Sequence, residues 1–334
     1  MRALVYLGPG RMELQDVPDP HPGAGEVAIA PTASAICGSD LHGFREASPR
    51  RIPPLVMGHE SVGTITEVGD GVADDRVGER VVLKPVFGCG ACRWCREGAI
   101  NRCADGKLVG RDLPGGFAER VIVPAGCAVP FSAALPDEIV TLVEPLANAV
   151  HVAARSVGDR DRVLVIGAGP IGVLMARAAL LHGASHVFAT DPVPDRLTLA
   201  AAQGAEPLPG DDPVAAVLEA TGGEGVDVVI DAAGFEATWA MGLRAVRIGG
   251  RVEQVGLGAG SGTVDFFAVL GKEVTISGSF AWGDRDFERA VAMLADGAVD
   301  PSGWITTMPL ADGQRAFEDL VDPAAGRFKV VLVP

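Results

Sequence analysis

Aromatic side chains are scarce in this 334-residue chain: they make up 5% of it, with one tyrosine and four tryptophans. Its cores must be packed from Ala, Val, Leu and Ile, for which a hydrophobic share of 48% is ample. Positive charge is short as well. Lys and Arg number 28 against 43 Asp and Glu, a formal net charge of −15 and a pI near 4.8. That balance excludes nucleic acid and anionic membrane as natural partners. No basic cluster offsets it, Arg50 and Arg51 being only a pair. Long apolar runs are missing too. The longest, 163–176, is broken by Gly and Pro and followed by Arg177, short of the ~20 residues a membrane helix needs. The opening MRALVYLGPGRMELQDV reads as strand, turn and strand, with no leader-like apolar stretch before a small-residue cleavage site. No internal repeat, low-complexity segment or long linker is found. The expectation is a soluble cytoplasmic protein with reduced thiols, built as one large or two medium domains.

Against these absences stands a cluster of cysteines, Cys89, Cys92, Cys95 and Cys103. Four thiolates so close in sequence wrap one tetrahedral Zn²⁺, and a closed four-thiolate shell leaves no position for substrate. The site is therefore structural, and its lobe folds around the metal. Gly88, Gly90 and Gly98 allow the tight turns of such a knuckle. Two disulfides are the competing reading, which the adjacent two-residue spacings and the reducing compartment disfavour.

Residues 1–146 carry short alternating strands (26–30, 63–68, 78–83) between Gly/Pro turns, the pattern of a β-rich, barrel-like domain. From 147 the pattern changes to strand–helix alternation. Strands are expected at 163–166, 186–190, 226–230, 251–255 and 273–280, with helices at 171–182 and 195–203. That order predicts an α/β domain with a doubly wound parallel sheet. A helix at 286–295 and a strand at 328–333 follow.

Gly167-x-Gly169-x-x-Gly172 opens a helix directly after the strand at 163–166. Alone such a motif is weak, but here it has the context that dinucleotide binding requires. The glycines permit a tight turn, close approach to a pyrophosphate and close helix–strand packing, and the helix N-terminus offers free N–H groups. Pro170 and Ile171 belong to the same loop, and Val255 and Leu257, after a later strand, are further cofactor contacts. Asp191 stands where an acid accepts bonds from both adenosine ribose hydroxyls, which favours NAD over NADP. Arg196, five residues on, flanks the ribose and softens the bias against a 2′-phosphate.

Cys37, His59, Glu60 and the distant Glu144 supply the mixed S, N and O donors of a catalytic Zn²⁺ with an exchangeable position. Each alone has a bland reading, packing for a Cys or His and a helix N-terminal charge for Glu144. Here the chain resembles the zinc-dependent medium-chain alcohol dehydrogenases. The matching stretches are CGSDLH (37–42), GHE (58–60), GCGACRWCREGAINRC (88–103), VEPLANAVH (143–151) and VLVIGAGPIG (163–172). The resemblance implies a GroES-like catalytic domain at 1–146, a Rossmann NAD-binding domain at 147–280 and a return to the catalytic domain at 281–334. It makes Cys37 and His59 zinc ligands and Glu60 a direct or alternating one. Glu144, where classical members have Cys, looks like the sorbitol and polyol branch, acting directly or through water. Two zinc ions per chain follow, one catalytic and one structural.

The expected chemistry is oxidation of a secondary alcohol to a ketone, or the reverse, with hydride passing to the nicotinamide. Ser39 takes the alcohol proton, and the resemblance passes it through the nicotinamide ribose to His42 and solvent. Asp40 orients a ligand. The resemblance brings Lys329 to the cofactor pyrophosphate. Trp282 stands in a pair that reads Arg-aromatic in sorbitol dehydrogenases; its partner here is Ala281, so the pocket gains apolar area and loses an Arg. Arg45, Arg50 and Arg51 read as solvated loop charges or as a grip for an anionic group. His151, His182, His186, Cys127 and Asp231 read as structural. A polyol, diol, cyclitol or amino alcohol all fit. The segment 273–280 resembles the edge through which such domains pair, so a homodimer or homotetramer is expected. Two other classes stay open: a silent NAD(P)-binding homologue with a structural or regulatory role, and a C=C reductase on the same fold.

Overall fold

Short apolar runs bracketed by turn residues become strands once they find partners, and the first part of the chain is built in this way. The computed structural model describes residues 1–208 and 211–334. They divide into two units, Met1–Glu144 together with Gly283–Pro334, and Pro145–Trp282.

In the first unit the strand Glu26–Ala35 is central. It pairs antiparallel with Glu60–Val68, Val121–Pro124 and Lys329–Val333. Arg80–Leu83 and Ala128–Pro130 extend the sheet on one side and Ile305–Pro309 on the other. The last strand of the chain is thus laid beside one of the first, with Val331 opposite Ala35. Three phenylalanines meet in the core of this unit. Phe44 and Phe317 lie 5.1 Å apart and Phe117 meets Phe317 edge-on at 6.0 Å, in a core with Leu4, Met57 and Leu332. The single tyrosine, Tyr6, is fully buried, and its hydroxyl donates to the Gly43 carbonyl at 2.7 Å. That bond satisfies a buried polar group and fastens the helix Gly38–Arg45 to the strand Arg2–Gly8, which belongs to a separate three-stranded sheet.

The second unit is a six-stranded sheet in which every pairing is parallel. Its order is Glu206–Pro207, His186–Thr190, Arg162–Ile166, Val226–Asp231, Val246–Gln254, Thr275–Gly278. Sequence order reverses between Arg162–Ile166 and Val226–Asp231, the switch point at which doubly wound sheets open a crevice. Val163 to Ile166 are buried throughout, as a central parallel strand must be.

The strand expected at 251–255 begins earlier, at Val246. Its ladder with Val226–Asp231 shifts register between Val226 and Val228, and Gly249 and Gly250 in that shift hide the strand from periodicity. The edge strand is shorter than expected, Thr275–Gly278. The helices Pro213–Ala220, Glu236–Ala245, Phe266–Lys272 and Gly313–Val321 were not foreseen. In Phe266–Lys272 the apolar residues Phe266, Phe267 and Leu270 face solvent, which removes the polar contrast that marks a helix.

Candidate metal centre and nucleotide loop

All six cysteines are free, so the disulfide reading of the knuckle falls. The sulfurs of Cys89, Cys92, Cys95 and Cys103 lie within 4.8 Å of one another. Tetrahedral Zn–S bonds of about 2.3 Å set neighbouring sulfurs roughly 3.8 Å apart, so the cluster fits the ion. Backbone N–H groups turn toward the sulfurs: Cys92 N to Cys89 Sγ and Cys89 N to Cys103 Sγ, both at 3.4 Å. The N–H groups of Ala91 and Cys92 pull the Cys89 thiol down to about 7. Burial, then the Cys92 thiol, pushes Cys95 up to about 12. Gly88 is required by space, since a Cβ there would lie 2.3 Å from Cys95 Sγ.

The second cluster is assembled from separate elements. Cys37 precedes the helix Gly38–Arg45, and His59 and Glu60 lie at the start of Glu60–Val68. Their ligand atoms also lie within 4.8 Å of one another. His59 and Glu60 are buried, and Glu60 Oε1 has no hydrogen-bond partner among the described residues. An orphaned carboxylate oxygen beside a thiol and an imidazole is a donor set that a Zn²⁺ completes. Burial pushes the Cys37 thiol far up, and the carboxylates of Glu60, Asp40 and Glu144 push the same way. A metal ion answers all of these at once, because it favours the thiolate and offsets the carboxylates. Glu144 is buried and acts on Cys37 electrostatically, but it is outside the group of three that converges.

Around the ligands lies a polar frame. Asp40, fully buried, holds Oδ1 3.5 Å from His59 Nδ1 and accepts from the Cys37 N–H through Oδ2 at 3.3 Å. His59 Nε2 lies 3.4 Å from Ser39 Oγ. Arg51 is a correction to the sequence reading. Arg45 and Arg50 are exposed, but Arg51 is 4% exposed and donates to Asp40 Oδ1 and Ser39 Oγ, both at 3.1 Å. Lys329, which the resemblance brings to the cofactor pyrophosphate, starts the strand Lys329–Val333. Its ammonium is buried, donates to Glu60 Oε2 and reaches the Ile36 carbonyl at 3.1 Å. Burial alone pulls this ammonium down; Glu60 and then Cys37 outweigh it and the net shift is upward. Arg51 pairs with Asp40, eleven residues before it, and Lys329 with Glu60, 269 residues before it, and neither burial can be read from the residue type alone.

His42 lies on the Gly38–Arg45 helix with its side chain 34% exposed, Nε2 being 3.2 Å from Glu46 Oε1. Trp282, expected to bring apolar area to the substrate pocket, is fully buried. His151 is buried on the helix Val143–Ser156, and Cys127 is packed among Val27, Val81 and Val123.

In the second unit the loop Gly167 to Gly172 follows the strand Arg162–Ile166 and starts the helix Pro170–His182. Gly167 has φ +94°, a left-handed conformation, and a Cβ on Gly172 would lie 1.8 Å from the Gly167 carbonyl oxygen. A Cβ on Gly169 would meet nothing within 4 Å, so this position faces open space. Pro170 and Ile171 form the first turn, whose N–H groups lack intrahelical partners. Asp191 ends the next strand. Its carboxylate accepts from Ala168 N at 2.8 Å and Val193 N at 2.9 Å, with Arg196 Nη1 3.7 Å away. Two bonds leave the carboxylate further lone pairs for ribose hydroxyls. Val255 and Leu257 follow the strand Val246–Gln254, with Leu257 exposed.

The alcohol dehydrogenase GroES-like domain profile matches residues 23–136, and the zinc-binding dehydrogenase profile matches 170–296. L-threonine 3-dehydrogenase of Pyrococcus horikoshii is 38% identical over 286 residues, covering 83% of this chain and 82% of the relative. The Escherichia coli alcohol dehydrogenase rspB, solved with NADH, superposes at TM-score 0.92 with 29% identity over 100% of this chain and 99% of that one. The 2R,3R-butanediol dehydrogenase of Bacillus subtilis gives 0.90 with 27% identity over 100% and 99%.

Proposed function

We propose, from the premise that the chain belongs to the zinc-dependent alcohol dehydrogenase family, that it oxidises a secondary alcohol to a ketone. It is an oxidoreductase, and the convergence of Cys37, His59 and Glu60 around an orphaned carboxylate oxygen carries the reading. Cys37, His59 and Glu60 would hold a zinc ion that would supply Lewis acidity at the alcohol oxygen, and a bound nicotinamide would take the hydride. Ser39, beside His59, accepts the hydroxyl proton, and His42, on the same helix and part exposed, hands it to solvent. Glu46 Oε1 lies 3.2 Å from His42 Nε2. Asp40 lies 3.5 Å from the His59 ring nitrogen Nδ1, and Lys329 holds one Glu60 oxygen while the other is left without a hydrogen-bond partner among the described residues. The knuckle takes the second, structural zinc. The assembled ligand set and hydroxyl argue against a silent homologue, and Ser39 and His42 are more than a C=C reductase needs.

The threonine and butanediol relatives support an alcohol with a neighbouring polar substituent, so 3-hydroxy-2-amino acids and vicinal diols head the substrates to test. The deciding experiment is an NAD-coupled screen of secondary alcohols on zinc-loaded and chelator-treated protein. Activity that survives chelation sinks the reading. Asp191 supports NAD over NADP by at least roughly tenfold, since a 2′-phosphate loses its charge-assisted bonds and meets like charge. Kinetics with both cofactors check this, and Asp191→Ser narrows the gap. The unpaired edge Thr275–Gly278, with Ile276, Phe280, Phe266 and Phe267 exposed, supports a homo-oligomer. Light scattering showing a monomer at micromolar concentration removes that part.

A further inference from the structure

We propose that Arg51 is a positioning residue for the proton-accepting hydroxyl of Ser39, and that residue 43 is glycine to make room for it. The proposal rests on the reading of Ser39 as the first proton acceptor. A guanidinium is expensive to bury and persists only where it is paired. Arg51 is 4% exposed, and Asp40 at 3.1 Å supplies the charge. A structural ion pair needs no more than that, yet the same nitrogen, Nη2, also donates to Ser39 Oγ at 3.1 Å. Nη2 has two hydrogens, and these bonds use both.

The second bond has a consequence for Ser39. A hydroxyl has one donor hydrogen and two lone pairs. Arg51 can only donate, so it occupies one lone pair and fixes the side chain in one rotamer. One lone pair and one O–H remain, which is what a relay requires: one site to take a proton and one to give it. Without Arg51, Ser39 Oγ spreads over its staggered rotamers, and fewer molecules present it beside His59 Nε2, 3.4 Å away.

The glycine at 43 is explained by the same contact. A Cβ there would lie 2.6 Å from Arg51 Cγ and 2.8 Å from Arg51 Cβ, near the root of the side chain where little can give. The Tyr6 hydroxyl holds the Gly43 carbonyl from within the core, so the helix cannot back away. Arg51 is therefore gripped along its stem as well as at its head.

The test compares Arg51→Gln, Arg51→Lys, Gly43→Ala and Ser39→Ala as full-length, zinc-loaded enzymes. The readouts are kcat, KM, zinc content, thermal stability and two isotope effects, one from D2O and one from a deuterated carbinol carbon. Arg51→Gln is expected to lower kcat about 10- to 100-fold, with KM within about threefold. The D2O effect should grow while the carbinol effect shrinks, because proton transfer becomes the slower step. Gly43→Ala should move both in the same direction by less. Arg51→Lys, which keeps the charge facing Asp40 on a shorter reach, should restore stability more fully than kcat. Adding Arg51→Gln to Ser39→Ala should cost little more, and a crystal structure of Arg51→Gln should show Ser39 Oγ in more than one rotamer. If Ser39→Ala is crippled but Arg51→Gln keeps wild-type kcat and isotope effects, the Arg51 proposal falls and the Ser39 reading stands. If Arg51→Gln loses zinc or stability with an unchanged D2O effect, its role is structural and the proposal falls. Full activity in Ser39→Ala removes both.

Discussion

The two thiol-bearing sites of this chain solve one problem, holding a thiolate for a metal, in opposite ways. In the knuckle the ligands come from fifteen consecutive residues, 89–103, and the backbone itself stabilises the anion through the N–H groups of Ala91 and Cys92. At the open site the proposed ligands come from separate elements, and half-buried Cys37 lies among carboxylates that oppose its ionisation. The first site suits permanent occupancy. In the second, charge is left to be balanced by an ion, with the buried cations of Arg51 and Lys329 holding only part of it. A closed shell is prepared by its own chain, whereas an open one is prepared by the fold.

That contrast is broken most sharply by His59→Ala. It removes the donor that Asp40 orients and should cost on the order of 10³-fold or more in kcat/KM. Dinucleotide affinity and the melting transition should change little. An active variant would mean that His59 is not part of the reacting site. Cys95→Ser should do the reverse. It should release one zinc per chain and cost roughly 4 kcal/mol of stability, with kcat per folded chain within about threefold. Metal analysis and thermal unfolding give the answer, and unchanged zinc content would remove the structural role from the knuckle.

The smallest effect is the dependence on pH. Zinc binding must expel a thiol proton still present. Between pH 7 and 9 the Cys89 thiol, near 7, is already losing its proton, while Cys95, near 12, keeps it. The Cys95 proton should therefore make zinc affinity at the knuckle fall by about one decade per pH unit of acidification, and the raised Cys37 thiol should do the same at the open site. Competition with a chromophoric chelator across that window measures both slopes, and a flat slope at either site would contradict the thiol ligand there.

Much of this was legible in the residue order because it is local. The cysteine spacings, the glycines before the helix Pro170–His182 and the acid at the end of the next strand each report geometry that a short segment makes by itself. The strand His186–Thr190 was placed to the residue for the same reason. The knuckle and the nucleotide loop, the two motifs made from contiguous residues, were determined by sequence alone. What only the tertiary structure decided is which charges go inside. Arg51 reads as a loop arginine until Asp40 meets it, and the pairing of Lys329 with Glu60, 269 residues away, is visible only once the strands pair. Trp282 reads as pocket wall until packing buries it completely. Burial of a charge or a large ring depends on the partner that folding brings to it, and no spacing along the chain encodes that partner.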